Sequence, residues 1–347
     1  MVYPLDEILL VSLLAVLAGA ETFTGIAQFG KDKLDLLRRL RPFANGVPDH
    51  DRLGEVFAAL DAEQFQNCFV GWVAALTGLP ADVIAIDGKT VRRAHNRNKG
   101  QNPIHMVSAF AAHQRLVLGQ VKVAEKSNEI VAIPRLLDML AIEGAIVTID
   151  AMGTQRGIAR KIIDKKADTM LALKGNQGTL RDDVELFANE QKANKFKDTI
   201  ISKHRTIDGD HGRIETRRTT VFHDIGWLQE RHDWPGLKGV IMVDCERQIG
   251  AKVERETRFY ITSSTDKADK LGDVVHRHWS VESMHWLMDI VFRDDECRMR
   301  TEHAPANFTT IKHIAHDLLR RNSAKMSMTT KRLKAGWNEQ FLLSLIA

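Results

Sequence analysis

Apolar residues recur at helical spacing through residues 1–80 and then change period. Leu9-Leu10, Leu13-Leu14 and Leu17 share a helix face, and residues 34–40 repeat the pattern. Pro48-Asp49-His50-Asp51 supplies a turn and an N-cap ahead of Leu53, Val56, Phe57 and Leu60, and helix continues through Phe65, Phe69 and Trp72 towards Gly78 and Pro80. From residue 82 short β-branched runs predict strands over 83–87, 145–150 and 169–173. Residues 105–111 and 116–123 read as the arms of a hairpin across His113-Gln114-Arg115, and helical patterns fill 128–140 and 155–166.

Residues 198–263 are rich in Thr, Ile, Arg and Val, with turns at Asp208-Gly209-Asp210-His211-Gly212 and Pro235-Gly236, and predict an inserted, mainly β module. Helix returns at 273, runs past 289 and recurs over 306–322. The order β, β-hairpin, α, β, α, β is that of an α/β fold with a ribonuclease-H-like mixed sheet, which needs helices on both faces. The expected division is a helical N-terminal region (1–80), a discontinuous core (81–197 and 264–325), the β-rich insertion (198–263) and a basic, helical tail (326–347).

At 347 residues and 44% hydrophobic content the chain can bury a full core. A net charge of +4 is too mild to announce nucleic-acid binding, so local clusters matter more. Lys89, Arg92, Arg93, Arg97 and Lys99 have no acid among them, and Arg320, Arg321, Lys325, Lys331, Arg332 and Lys334 follow Asp317. Each cluster reads equally well as a solvated face. Cys68, Cys245 and Cys297 form no C-x-x-C pair, which excludes a zinc knuckle or disulfide framework and suits a reducing cytoplasm. The apolar stretch 8–20 follows Asp6 and Glu7 and is too short to span a bilayer, so it predicts a buried amphipathic helix.

Three carboxylates in three settings carry the candidate chemistry. Asp87 closes Val83-Ile84-Ala85-Ile86, Asp150 closes Ala145-Ile146-Val147-Thr148-Ile149, and Glu282 stands in His278-Trp279-Ser280-Val281-Glu282 at the start of a helical pattern. Either aspartate alone reads more readily as a turn former. Together, neighbouring strand ends can bring both to one cation at the sheet edge where open α/β sheets bind ligands. Hard divalent ions take oxygen ligands, and two of them about 4 Å apart activate an attacking oxygen and stabilise a leaving one. His278, Glu282, His285 and Asp289 are spaced four, three and four, along one helix stripe. Among Trp279, Val281, Trp286, Leu287 and Ile290 that helix is expected to be largely buried, both tryptophans in the core, so its polar stripe needs partners. Gly88-Lys89-Thr90 is no P-loop, because Val83 holds the place of the first glycine. Asp208-x-Asp210 is no calcium loop, because Arg213 and Thr219 hold the places of its glycine and glutamate.

The combination Ile86-Asp87-Gly88-Lys89, Thr148-Ile149-Asp150-Ala151-Met152, Leu173-Lys174-Gly175-Asn176-Gln177, His211-Gly212-Arg213-Ile214-Glu215 and His278-Trp279-Ser280-Val281-Glu282 resembles the DDE transposases of bacterial insertion sequences. The resemblance is to the branch that includes the H-repeat-associated proteins beside Rhs elements, and it covers nearly the whole chain. It implies a catalytic triad of Asp87, Asp150 and Glu282 holding two Mg²⁺ ions, with Mn²⁺ as a substitute. Water would attack a phosphodiester at the element end, and the freed 3′-hydroxyl would then attack target DNA. The resemblance also implies phosphate contacts from Lys89, Lys174, Asn176, Gln177, His211 and Arg213, with Arg92, Arg93, Arg277 and His278 on the same DNA side and His285 and Asp289 supporting the triad. The expected partner is DNA, bound by a dimer in the cytoplasm, with no membrane and no small-molecule substrate.

The wider superfamily carries Tyr, Arg and Lys around its glutamate, where this chain has Val275, His278 and Asp289; Arg277 stands in for the arginine, but Asp289 cannot stand in for the lysine. The chain opens on Tyr3-Pro4-Leu5 where relatives carry a further stretch, the pattern of a late start or a truncated copy. Two other readings stay open: a ribonuclease-H-like nuclease without strand transfer, and a catalytically dead DNA-binding remnant of a mobile element.

Overall fold

The computed structural model describes residues 2–77, 82–91, 103–123, 128–210 and 212–347. Its first layer is helical, as the spacing predicts: α1 (Leu5–Leu17), α2 (Phe23–Asp32), α3 (Leu34–Arg38), α4 (His50–Ala59) and α5 (Ala62–Thr77). Local chemistry starts three of them. The Thr22 hydroxyl accepts the Gly25 N–H (3.0 Å), Asp49 accepts that of Arg52 (2.8 Å) and Asp61 that of Gln64 (2.8 Å), each satisfying a first-turn donor. The apolar stretch of α1 is buried around most of its circumference, Ile8, Leu14 and Leu17 fully so. Among the described residues no helix is long and apolar enough to cross a membrane.

The described strands are β1 (Val83–Val91), β2 (Ile104–Ala111), β3 (Leu116–Lys122), β4 (Ile146–Ile149), β5 (Asp168–Leu173), β6 (Ile201–Asp210), β7 (Arg213–Phe222), β8 (Gly239–Ile249) and β9 (Lys252–Thr262). They form one sheet in the order β3-β2-β1-β4-β5-β9-β8-β7-β6. β1 to β3 are an antiparallel meander, and β4 and β5 run parallel to β1. That is the ribonuclease-H-like arrangement expected of this α/β fold. The β-rich stretch builds no sheet of its own: β9 pairs antiparallel with β5, and β8, β7 and β6 follow outward.

Helices cover both faces. On one, α6 (Glu129–Met139), α7 (Arg156–Asp164) and α8 (Gly178–Ala193) set Ile133, Leu136, Ile158, Ile162 and Val184 against Ile84, Ile86, Val147 and Ile149. On the other, α10 (Ala268–His278) lies on Val83, Ile146 and Met170. Beside it α11 (Ser280–Phe292), α12 (Ala304–Arg321) and the N-terminal helices gather around Ala85, Met106 and Val117. Side chains alternate faces along a strand. Asp87 and Lys89 therefore follow Val83 and Ala85 onto the α10–α11 side, and Asp150, one residue past β4, continues the alternation of Ile146 and Thr148.

Several expectations change. α8 and the short α9 (Gly226–His232) were not foreseen; α8 buries only Leu180, Val184 and Ala188, a narrow stripe in a charged sequence. The helix expected from 273 past 289 is two helices joined at Trp279, so His278 does not share a helix with Glu282. α11 buries Val281, Met284, Met288, Val291 and Phe292, whereas Trp286 and Ile290 are 60% and 59% exposed. Trp286 is thus no core residue, because α11 lies at the rim and packs on one side only, and Trp279 is half-buried. The tail, α13 (Met328–Trp337) and α14 (Glu339–Ser344), is not a solvated basic face throughout. Arg332 is buried and donates to the carbonyls of Val16 (2.9 Å) and Ala20 (3.1 Å), and Lys331 donates to those of Leu319 (2.9 Å) and Asn322 (2.6 Å).

Candidate active site

β1 runs on past its parallel neighbour. Ile86 pairs with Ile149, the last residue of β4, while β1 continues against β2 to Val91. Asp87 is therefore not a strand end, as its apolar run suggested; it stands within β1 opposite Ser108, at the level where β4 stops and the chain turns away at Asp150. Each aspartate comes one residue after that pair, so the two stand at the same level on neighbouring chain segments, strands of a sheet being about 4.8 Å apart.

The turn after Asp150 is fixed by its own carboxyl, whose Oδ1 accepts the N–H groups of Met152 (3.1 Å) and Gly153 (3.4 Å). Thr154 donates to the carbonyls of Asp150 (3.1 Å) and Ala172 (2.8 Å). The Asn176 amide donates to the Ala151 carbonyl, and that of Gln177 to the Thr154 carbonyl (2.7 Å). Asn176 and Gln177, expected at phosphates, are thus engaged in holding the Asp150 turn. Lys174, beside them, is exposed.

Asp87 is a carboxylate among carboxylates. Its Oδ1 accepts the Gly88 N–H (2.9 Å), and His285 Nδ1 stands 3.5 Å from Oδ2. Burial pushes the Asp87 carboxyl up to about 7; the Gly88 N–H opposes the rise, and Asp150, Glu129 and Glu282 add to it by repulsion. Burial also lowers the His285 imidazole to about 4, with Lys89 adding to the fall, so at neutral pH it offers Asp87 no full charge. Glu129 and its partner His105 (2.6 Å) escaped the sequence reading. Glu129 looks there like an ordinary acid in a first helical turn, and only the fold brings the pair over Gly88, where an added Cβ would lie 2.1 Å from Glu129 Oε1. As the side chains stand, no three described His, Cys, Asp or Glu residues group closely enough to hold a metal ion.

Glu282 lies in the first turn of α11, exposed, on the wall of a cleft of about 860 Å³ that also takes in Arg213, Arg217, Arg247, Arg258 and Trp279. A second cleft of about 390 Å³ runs from Asp150 past Lys174, Arg181 and His278, and shares Arg258 and Trp279 with the first. The Arg258 guanidinium sits over the Trp279 ring at 4.6 Å, tying β9 to the junction between α10 and α11. His278 Nδ1 pairs with the Thr148 hydroxyl (2.9 Å), and burial lowers its imidazole to about 4, so the ring is neutral. Arg213 is 3.6 Å from Glu215, and Arg277 is paired with Asp273 (2.5 Å).

Lys89, expected at phosphates, is largely buried. Its ammonium pairs with Asp289, lies 3.4 Å from Asp294 Oδ2 and donates to the His285 carbonyl (3.5 Å). Arg92, Arg93, Arg97, Lys99 and His211 fall outside the described residues.

The transposase DDE domain family matches residues 78–318, and the family associated with that domain matches residues 1–73. The H repeat-associated transposase homologue YhhI of Escherichia coli K12 is 36% identical over 99% of this chain and 93% of its own length. A protein encoded in the dhlA 3′ region of Xanthobacter autotrophicus is 42% identical over 76% of this chain and 88% of its own length. The inactive transposase YbfQ of E. coli K12 is 42% identical over 55 residues, 16% of this chain and 66% of its own length. The piggyBac transposase in a synaptic complex with hairpin DNA superposes with a TM-score of 0.42 at 9% identity, over 98% of this chain and 72% of that one, a likeness too distant to carry an argument. The match across most of the chain and the full-length relatives establish that it belongs to the DDE transposase family.

Proposed function

We propose that the chain is a DNA transposase that cleaves phosphodiesters at element ends and joins them to target DNA through Asp87, Asp150 and Glu282. The observation that carries this reading is the register: Ile86 pairs with Ile149, so Asp87 and Asp150 follow on adjacent strands and share the face on which α10 and α11 lie. Glu282 opens α11 on that side.

The donor set fits hard divalent cations. It is made of carboxylate oxygens, and Mg²⁺ takes one or two carboxylates with water and phosphate in its other positions. Asp87, pushed up to about 7 with a neutral imidazole beside it, is a site whose repulsion a divalent ion relieves. Asp87 and Asp150 would hold one ion, and Glu282 with one of them a second. Such ions, when bound, supply activation of the attacking oxygen and charge stabilisation of the leaving one.

The remaining residues bind and orient. Lys174, Arg247 and Arg258 line the two clefts and would take the phosphates on either side of the scissile one. His278, neutral and paired with Thr148, holds the end of α10 against β4 beside Asp150. DNA held across both clefts by a dimer would bring two element ends together.

The test is incubation of the protein with a linear duplex carrying the DNA that flanks its gene, with Mg²⁺ or Mn²⁺. Metal-dependent cuts followed by joined products, both abolished by Asp150→Asn, are expected. Cuts without joining would make it a nuclease, and DNA binding indifferent to Asp150→Asn without any cleavage would make it a remnant.

A further inference from the structure

Lys89 and Asp289 pair across the contact between strand β1 and helix α11. Positions 87 and 89 lie on one face of β1, about 6.7 Å apart, and positions 285 and 289 lie on one side of α11, about 6 Å apart. The two spacings nearly match, and the contacts fall in step: His285 meets Asp87 at 3.5 Å, and Asp289 meets Lys89. Beyond the helix, Asp294 lies between Lys89 (3.4 Å) and Lys312 of α12 (2.9 Å). The result is a chain of two ammoniums and two carboxylates, balanced in charge, whose side chains are 30% exposed at Asp289, 13% at Lys89, 3% at Asp294 and 2% at Lys312.

A phosphate approaching Lys89 would compete with two carboxylates and a carbonyl already on its ammonium. Net stability is a weak reason for such a buried chain, because desolvation offsets most of the attraction. Its definite consequence is geometric. Glu282 and Asp289 are seven positions apart, two turns on the same helix, so whatever fixes Asp289 on β1 fixes where Glu282 stands relative to Asp87.

We infer that Lys89 is a positioning residue which, through Asp289 and the His285 carbonyl, sets the Glu282 helix against the strand bearing Asp87, and that it contacts no phosphate. This rests on the triad reading above. The test compares the wild-type full chain with Lys89→Met, Asp289→Asn, the double variant and Lys89→Arg. Readouts are single-turnover cleavage, DNA affinity against salt, Mn²⁺ affinity by calorimetry and the thermal midpoint.

Each single change should slow cleavage by about tenfold or more, the scale on which small misplacements of reacting groups act. Mn²⁺ affinity should fall, while DNA affinity and its salt dependence stay unchanged. The double variant should be no slower than the slower single one, and Lys89→Arg should restore much of the rate. If Lys89→Met folds poorly, the double variant, which removes one charge of each sign, carries the same test. A salt slope reduced by about one in Lys89→Met, with tighter DNA binding by Asp289→Asn, would make Lys89 a phosphate ligand and overturn the inference. Unchanged cleavage and Mn²⁺ affinity would overturn it too. Should the wild type cleave nothing, the triad reading fails, while Mn²⁺ affinity and the salt slope still decide the role of Lys89.

Discussion

Asp87 and Asp294 are both acids drawn largely out of water, and Lys89 stands two residues from one and 3.4 Å from the other. Their environments are opposite. Asp294 lies between Lys312 and Lys89, and despite complete burial those two ammoniums hold its carboxyl down at about 2. Asp87 has a backbone N–H, a neutral imidazole and three carboxylates for company, and sits at about 7. Lys89 and Lys312 are held on the frame beneath the site, and among the described residues no lysine or arginine pairs with Asp87. An acid so placed suits the cation proposed above, whereas Asp294 is paired within the scaffold.

The contrast breaks first at Asp294. Asp294→Asn leaves the Lys312 ammonium buried beside Lys89 without its anion, and should cost about 3–5 kcal/mol in denaturant unfolding. A loss below about 1 kcal/mol would mean that the clamp does not hold the frame.

The next effect is the pH dependence, where the two acids act with opposite sign. Folding raises Asp87 from 3.8 to about 7, so its contribution is full below the ordinary carboxylate range and is lost as pH rises through about 7. Folding lowers Asp294 from 3.8 to about 2, so its contribution is full above that range and is lost as pH falls through about 2. Asp87→Asn should therefore stabilise the metal-free protein at pH 8, by at most about 4 kcal/mol, and flatten thermal midpoints from pH 5 to 8. Added Mg²⁺ should raise the wild-type midpoint at pH 8 and leave that of the variant nearly unchanged. A midpoint unmoved by Mg²⁺ in both proteins would count against a metal at Asp87.

Gly88 tests how tightly the edge is built. Gly88→Ala would put a methyl 2.1 Å from Glu129 Oε1 and 2.6 Å from His105 Nε2, displacing that pair at a cost of about 1–3 kcal/mol. Adding Glu129→Ala should recover part of the loss. If Gly88→Ala proves neutral, the Glu129–His105 pair is free to move and does not confine Asp87.

What could be read in the chain beforehand follows the same division. β1, β4 and β5 announced themselves through short buried β-branched and apolar runs, β2 and β3 as the arms of a hairpin, and Asp87 and Asp150 stood out as the acids that follow two of those runs. Lys89 was expected at a phosphate because it sits in a motif that matches the family's, and nothing in sequence says that Asp289, two hundred positions away, arrives on it. Glu129 and His105 were missed for the same reason. The break at Trp279 was hidden because the apolar and polar periods run through it without a glycine or proline to mark it. Trp286 was assigned to the core from the apolar residues around it, although a rim helix with one packed side leaves it and Ile290 in solvent.

Trp286 yields the smallest expected effect on folding and the cleanest separation of edge from frame. It lies one turn beyond Glu282 on the exposed side of α11, which also carries Ile290. Since it is 60% exposed, Trp286→Ala should change stability by no more than about 0.5 kcal/mol. If DNA runs along the side of α11 that bears Glu282, the same change should weaken binding of a flanking duplex several-fold, because a large apolar ring would leave the contact. Loss of stability without loss of DNA affinity would put Trp286 with the frame, and would turn the Glu282 face of α11 away from the DNA.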